Sequence, residues 1–147
     1  KLDGSTAFTI GAAVTPETDL VGPVLAKFEV KVKAGAQFFQ TQAVYHPDVF
    51  ASFMKQARPF NVKVLAGILV LRNYKMAEFM NANIPGMSVP SEMIDELKAA
   101  GEKAEDVGVD IAVRTIKAVR PHCDGVHIMA IKATHRLAEI ITKAELN

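Results

Sequence analysis

One amide side chain, Gln42, stands at the end of a short stretch with the alternation of a buried strand. Residues 38–42 read Phe-Phe-Gln-Thr-Gln. Alternate residues of a strand point to opposite faces, so Gln40 and Gln42 share a face with Phe38. Barrels and open α/β sheets place their ligands at the carboxyl ends of their strands, and an amide there can both donate and accept. Gln42 is therefore a candidate binding residue, and a hydrogen bond to neighbouring loop backbone is the alternative that stays open.

Small residues in an earlier strand pattern offer a second place for a ligand. The stretch Phe8–Val14 is apolar, and its centre reads Gly11-Ala12-Ala13. A flat ligand or another backbone could approach closely where side chains are this small. Tight packing of a helix on the sheet would explain the same residues equally well.

Other reactive residue types do not form a recognisable set. The sequence has no phosphate-binding glycine loop, no Cys-x-x-Cys pair and no His-Glu-x-x-His motif. Cys123 and His127 would share one face of a strand but lie about 13 Å apart at ~3.3 Å per residue. Ligands of one tetrahedral metal ion must each reach it at about 2 Å. We therefore predict no metal site.

The composition is that of a globular protein. The chain has 147 residues, of which 50% are hydrophobic, and a net charge of +1. Its basic residues are scattered, so neither nucleic acid nor a membrane surface is an expected partner. No apolar run is long enough to span a bilayer. The one cysteine, Cys123, excludes an internal disulfide and is typical of a reducing compartment, so a cytoplasmic location is expected.

The elements that would position these residues alternate along the chain. Strands are predicted over 8–14, in a run ending at residue 42, over 62–70 and over 124–131. Helices are predicted over 20–33, 48–57, 74–81, 92–100, 104–119 and 134–145. Such alternation favours an α/β fold with a parallel sheet and right-handed crossovers. No repeat, linker or internal domain boundary is predicted.

Four stretches of the sequence carry a resemblance to a known family. They are Phe8–Val14, Ala34–Tyr45, Val64–Ile68 and Asp124–Ala130. Together, and in this order, they resemble the methylenetetrahydrofolate reductase family. The similarity is greatest to the reductases of anaerobes and acetogens, in which Phe-Phe-Gln-Thr-Gln-Ala-Val-Tyr and Asp-Gly-Val-His-Ile-Met-Ala-Ile are typical. The pair Thr41-Gln42 is the most specific single feature.

The resemblance implies a flavin-carrying (β/α)8 barrel. In that family a donor reduces the flavin, which then reduces 5,10-methylenetetrahydrofolate to 5-methyltetrahydrofolate. A complete barrel takes about 250 residues. Residues 1–147 are therefore expected to form its C-terminal half, four βα units of a TIM barrel. The family's acid, a glutamate on the first strand, would lie outside this chain, so the catalytic residues are unknown and the chain alone is expected to be inactive.

The resemblance also implies binding roles for five residues. Gln42 falls on the glutamine that reads folate, and Phe79 falls near a phenylalanine that packs on folate. Ala12 and Ala13 fall on small residues of the flavin site. Lys31 falls on a lysine near the flavin phosphate or ribose. The implied cofactor is FAD or another flavin.

Three positions depart from the family pattern. Val14 replaces a tyrosine, Val24 replaces an aspartate and Ala133 replaces an arginine. The contacts that those side chains make in the family are not expected here.

Four βα units leave two open sheet edges and an unclosed core. A partner is therefore expected, either the missing N-terminal half or a second copy in a homo-oligomer. The resemblance further implies a folate substrate and a second, zinc-binding subunit. The alternative function is a non-catalytic half-barrel that serves as a scaffold or binds a partner, and another barrel enzyme of one-carbon metabolism is a third possibility.

Overall fold

Strands and helices alternate along the chain. The computed structural model describes residues 3–4, 6–18 and 20–146. The strands are β1 (Gly11–Val14), β2 (Phe38–Ala43), β3 (Lys63–Leu69) and β4 (Gly125–Met129). The helices are α1 (Val21–Lys33), α2 (Pro47–Ala57), α3 (Tyr74–Asn83), α4 (Ser91–Ala100), α5 (Ala104–Val119) and α6 (Leu137–Lys143).

The four strands form one parallel sheet in the order β1-β2-β3-β4. Strands that are consecutive in the chain are therefore neighbours in the sheet, as they are in a (β/α)8 barrel. The predicted α/β fold is confirmed, and the chain forms four βα units of such a barrel. Two further helices, α3 and α4, lie between β3 and α5 and pack with α5.

The side of the sheet that faces the helices holds the main core. Phe39 of β2 is fully buried and stacks on Phe28 of α1, with ring centroids 3.9 Å apart. Phe53 of α2 meets the Phe28 ring edge-on at 5.9 Å. Such aromatic pairs contribute about 0.5–1.5 kcal/mol each beyond the area they bury. This cluster holds α1 and α2 on β2, the strand that carries Gln42.

The opposite side of the sheet is largely uncovered. In β2 the residues that face the helices are buried, and the intervening ones are partly exposed. The partly exposed residues are Phe38, Gln40 and Gln42. His127 of β4 is also partly exposed. In a closed barrel this face is the interior, and we call it the inner face.

A second apolar cluster lies where β2 and β3 end. It joins Leu69 and Leu71 to the helices through Leu97 of α4 and Ile111 of α5. Gly108 of α5 lies directly on the loop after β3, because a Cβ at this position would overlap the carbonyl oxygen of Leu71. The close approach of α5 to this loop therefore requires glycine at position 108.

Charged side chains connect the strands at the other end of the sheet, where β3 and β4 begin. The Asp124 carboxylate accepts the Val64 N–H at 3.0 Å and pairs with Arg58 at 3.1 Å and Lys63 at 3.2 Å. Burial alone would raise the pKa of Asp124, but the Val64 N–H and the two cations lower it below its ordinary value. These contacts connect β3 to β4 at the amino ends of the two strands. In a barrel, residues at this end contribute to stability, and ligands bind at the opposite end.

Three elements are at least three residues shorter than the sequence pattern predicts: the first strand, the last helix, and β4, which is predicted over 124–131 and observed over Gly125–Met129. The pattern starts the first strand at Phe8, but pairing with β2 begins at Gly11. Phe8 and Ile10 are 78% and 51% exposed, because β1 is an edge strand with a neighbour on one side only. The last helix begins at Leu137, since Thr134–Arg136 form a 3-10 turn ahead of it.

Candidate functional site

Gln42 lies at the carboxyl end of β2, on the inner face. Its side chain is partly exposed and makes no hydrogen bond to the residues that the structure describes. The bond to loop backbone that the sequence left open is therefore not formed here. An amide in this position has a donor and an acceptor free for a ligand.

A β-bulge in β2 sets the direction of the Gln42 side chain. The pairing of β2 with β3 shifts register between Gln40 and Ala43. Inside this irregularity the Thr41 hydroxyl accepts the Gly67 N–H at 2.8 Å and donates to the Gln42 carbonyl at 2.6 Å. A Cβ at Gly67 would lie 2.5 Å from the Thr41 carbonyl oxygen, so the bulge requires glycine there. A bulge of this kind re-aims side chains next to binding sites.

Ala12 and Ala13 lie on opposite faces of β1. Ala12 packs against the core under the helices, whereas Ala13 is exposed on the other face. An open cavity of about 330 Å³ lies beside them, between the start of β1 and the Phe38 and Gln40 side chains. A Cβ at Gly11 would overlap the Phe38 ring, so the ring lies directly over this glycine. The structure brings Ala13, but not the side chain of Ala12, to the inner face.

Lys31 caps the free edge of β1. Its ammonium donates to the Ala13 carbonyl at 2.6 Å. The Ile10 carbonyl accepts the Gln37 N–H of the β2 side at 2.8 Å, so residues 10, 12 and 14 point their backbone groups at β2. The Ala13 carbonyl therefore points away from β2, to the edge where a further strand would pair. Lys31 also lines a second cavity of about 270 Å³ that includes Val24.

Phe79 lies on α3, the helix that follows β3. Asn73 caps this helix by accepting the Met76 N–H at 2.9 Å. The Phe79 side chain is 56% exposed, which leaves an aromatic face free for stacking. Of the positions that depart from the family pattern, Val14 and Ala133 are buried in the core under the helices.

Glu17 is a site residue that sequence reasoning missed. It follows β1, and one carboxylate oxygen accepts the backbone N–H groups of Tyr45 and His46, at 2.7 and 2.6 Å. The second oxygen is buried and has no partner among the described residues. Burial raises the pKa of Glu17 above its ordinary value of 4.5, although the two N–H groups act in the opposite direction. Glu17 thus joins the loops after β1 and β2 at the carboxyl end of the sheet.

One feature of the sequence points to Glu17 as a residue of interest. It is a carboxylate placed directly after Thr15-Pro16, where the first strand pattern ends. Its partners are 28 and 29 residues away, so no local pattern shows the contact. Burial, and to a smaller extent the charge of Glu17, raise the pKa of the Tyr45 phenol, whose oxygen is also buried without a partner among the described residues.

Replacing Glu17 with alanine is expected to lower the free energy of unfolding by about 1–3 kcal/mol, because two backbone N–H groups lose their acceptor. Glu17→Gln keeps an oxygen that can accept from the Tyr45 and His46 N–H groups, and it removes the ionisable carboxyl group. In the wild type, the raised pKa of Glu17 means that its contribution to stability is present below pH 4.5 and declines as the pH rises through the raised pKa. Urea unfolding across this range should show that decline in the wild type but not in Glu17→Gln, and identical pH profiles would contradict the prediction.

Four parallel βα units with neighbouring consecutive strands define the α/β-barrel class of fold, and the Gln42 amide, which has no partner among the described residues, lies at the end of the sheet where such barrels bind ligands. The sequence model of one family, described as methylenetetrahydrofolate reductase, matches residues 5–145. The chain therefore belongs to the methylenetetrahydrofolate reductase family.

Two curated relatives illustrate the match. Methylenetetrahydrofolate reductase 2 of Schizosaccharomyces pombe is 31% identical over 137 residues, which cover 80% of this chain and 21% of the relative. Methylenetetrahydrofolate reductase (NADH) 1 of Arabidopsis thaliana is 30% identical over 104 residues, which cover 67% of this chain and 17% of the relative. The chain thus spans about a fifth of the length of these relatives.

A solved structure shares the fold. It is an uncharacterized protein from Clostridium thermocellum that binds two copies of 5-methyl-5,6,7,8-tetrahydrofolic acid. The TM-score is 0.64 at 18% identity, and the match covers 92% of this chain and 52% of that chain. This chain corresponds to about half of that larger fold.

Neither a membrane-spanning helix nor a metal-binding group of side chains is found in the part of the chain that the structure describes.

Proposed function

We propose that residues 1–147 form the C-terminal half of a flavin-dependent methylenetetrahydrofolate reductase, without an internal domain boundary. The reaction would reduce 5,10-methylenetetrahydrofolate to 5-methyltetrahydrofolate, and this chain would contribute part of the folate site and part of the flavin site. The observation that carries the proposal is the Gln42 amide, which is free of partners among the described residues at the carboxyl end of β2 in a chain of this family.

Gln42 and Phe79 suit a folate substrate. The edge of a pterin carries donors and acceptors side by side, and an amide can pair with both at once. An exposed aromatic ring such as Phe79 can stack on a flat heterocycle. The Clostridium thermocellum protein, which has this fold and binds methyltetrahydrofolate, supports a folate ligand for this chain.

Ala12, Ala13 and Lys31 would hold one side of the flavin. Ala13 carries only a methyl group and Gly11 no side chain on the inner face, and Ala12 borders the same open cavity, so a flat ring can approach the strand closely. Lys31 would supply a cation to a flavin phosphate or ribose after leaving the Ala13 carbonyl. When bound, the flavin, as FAD or a related form, supplies hydride transfer. The residues of this chain bind and orient, because the family's acid lies outside it.

The remaining parts of the site would come from the missing N-terminal half or from a second copy. The chain covers 52% of the Clostridium thermocellum protein, which supports the first of these. A zinc-binding subunit would be a further partner.

The bond from Lys31 to the Ala13 carbonyl favours a second candidate function. A lysine that satisfies a backbone carbonyl on a free strand edge protects that edge from pairing with another strand. A non-catalytic half-barrel that serves as a scaffold or binds a partner would need this protection. Flavin uptake and folate reduction by the full-length gene product distinguish the enzyme from the scaffold.

We expect the isolated chain not to be a stable monomer. The inner face and two strand edges are unpaired, so association with a second copy or with the missing half would remove exposed apolar and backbone groups from water. Sedimentation velocity at micromolar concentration is the measurement. A well-folded monomer with a cooperative unfolding transition would contradict this expectation.

We expect the full-length gene product to be yellow as purified, and the isolated chain to bind flavin weakly or not at all. The reason is that this chain provides only one side of the proposed flavin site. Visible absorbance of the purified protein and titration with FAD and FMN test both parts. A full-length product that stays colourless and takes up neither flavin would remove the reductase proposal.

A further inference from the structure

Gln40 and His127 meet on the inner face although they belong to strands that are not neighbours. The Gln40 amide nitrogen lies 3.5 Å from Nδ1 of His127, across β3. Gly67 is the residue of β3 that pairs with His127. Because glycine has no side chain, position 67 of β3 places no side chain between the two polar groups.

The space around this pair is open. Barrel interiors are normally filled by layers of bulky branched side chains. Gln40 pairs with Ala13 on β1 and with Leu65 on β3, and His127 pairs with Gly67. The Leu65 side chain extends toward Gly125 of β4, where a Cβ would lie 3.0 Å from its Cδ2. On its β1 side Gln40 has the small Ala13, and it lines the open cavity of about 330 Å³. Gln40 therefore faces a space that a ligand can enter.

The pair also has unused hydrogen-bonding capacity. When the Gln40 amide donates to Nδ1 of His127, the imidazole carries its proton on Nε2. The Gln40 carbonyl oxygen then remains as an acceptor, and one amide hydrogen and the imidazole Nε2–H remain as donors. No other side-chain bond of either residue is formed within the described part of the chain.

We propose that Gln40, oriented by His127, binds the polar edge of a fused heteroaromatic ring that carries a cyclic amide, one level deeper in the barrel than Gln42. This inference rests on the proposed function. A carbonyl beside an N–H on the ring would match the acceptor and donor that Gln40 offers. Gln40 and Gln42 lie on one face of β2, about 6.6 Å apart along the strand, so both amides can contact one bound ring system. Pterins and flavins share this cyclic amide, and the experiment separates them.

The test uses the full-length gene product and the variants Gln40→Met, His127→Ala and the double variant. Gln40→Met retains the length of the side chain and removes the amide, so the interior stays filled. Gln37→Ala, at an exposed glutamine just before β2, is the matched control. Dissociation constants for methyltetrahydrofolate and for flavin are measured separately, together with the thermal midpoint of unfolding.

We expect Gln40→Met to weaken one of the two ligands about tenfold, by loss of the hydrogen bonds to the ring. His127→Ala should weaken the same ligand less, and the double variant should match Gln40→Met, because His127 acts through Gln40. Weakened folate binding identifies the pterin, and weakened flavin binding identifies the flavin.

Unchanged dissociation constants with a lowered thermal midpoint would overturn the assignment and leave the pair as interior packing, while the proposed function stands. A wild type that binds neither ligand would refute the assignment and the proposed function together.

Discussion

Replacing Gly108 with alanine is expected to lower the free energy of unfolding by about 3 kcal/mol or more. A Cβ at this position of α5 would overlap the Leu71 carbonyl oxygen, which belongs to the backbone of the loop after β3. Inserting a methyl group into a tightly packed contact costs typically 1–3 kcal/mol, and a backbone atom cannot rotate away as a side chain can. Helix α5 would have to move off the loop, which opens the cluster around Leu71 and Ile111.

A matched control is available in α1. Gly22 is also a helical glycine, but a Cβ there would have no atom within 4 Å from the described residues outside its own stretch of the helix. Gly22→Ala should therefore change stability by no more than about 1 kcal/mol, because the gain in helix propensity is opposed by the restriction that Pro23 places on the residue before it. Urea unfolding of both variants gives the comparison. Similar stability of Gly108→Ala and Gly22→Ala would show that α5 does not need the close contact with Leu71.

Replacing Gln42 with alanine is expected to weaken folate binding by on the order of 1–3 kcal/mol, or roughly tenfold to a hundredfold. The amide has no hydrogen bond to the described residues, so its donor and acceptor are available to the substrate. Gln42→Ala would leave the polar edge of the pterin unpaired in a site that excludes water. Gln42→Glu should also weaken binding, because a carboxylate accepts hydrogen bonds and does not donate them.

The two half-reactions of the full-length gene product, run separately, test this expectation. Folate reduction should slow at subsaturating substrate, while reduction of the flavin by its donor should be nearly unchanged, since folate takes no part in it. Gln56→Ala, at an exposed glutamine of α2, serves as control. If both half-reactions fall together, or if folate affinity does not change, Gln42 is a structural residue.

Gly108 and Gly67 act on different parts of the molecule. Gly108 allows α5 to contact the loop after β3, and its loss should affect stability first. Gly67 allows the bulge that aims Gln42 and also leaves the gap through which Gln40 meets His127. The first residue supports the fold, and the second supports the candidate site.

Much of the fold could be predicted from the sequence, because it depends on short periodicities. A period of two placed Gln40 and Gln42 on the face opposite Phe39, as the burial of β2 confirms. Helical spacing and the following proline predicted α5 over Ala104–Val119, its observed bounds. Gly35 follows the end of α1, and its φ of 102° is the positive value that favours glycine just after a helix.

The sequence by itself thus determined the class of fold, the faces of the strands and the family, since each depends on residues that are close together in the chain. Only the tertiary structure decided how the site is built. The Glu17 bridge between two loops spans 28 residues, and the contact of Gln40 with His127 spans 87. Lys31 caps an edge of β1 that has no neighbouring strand among the described residues. No local period encodes such contacts, because they arise from the register and packing of separate strands, which the whole sheet sets together.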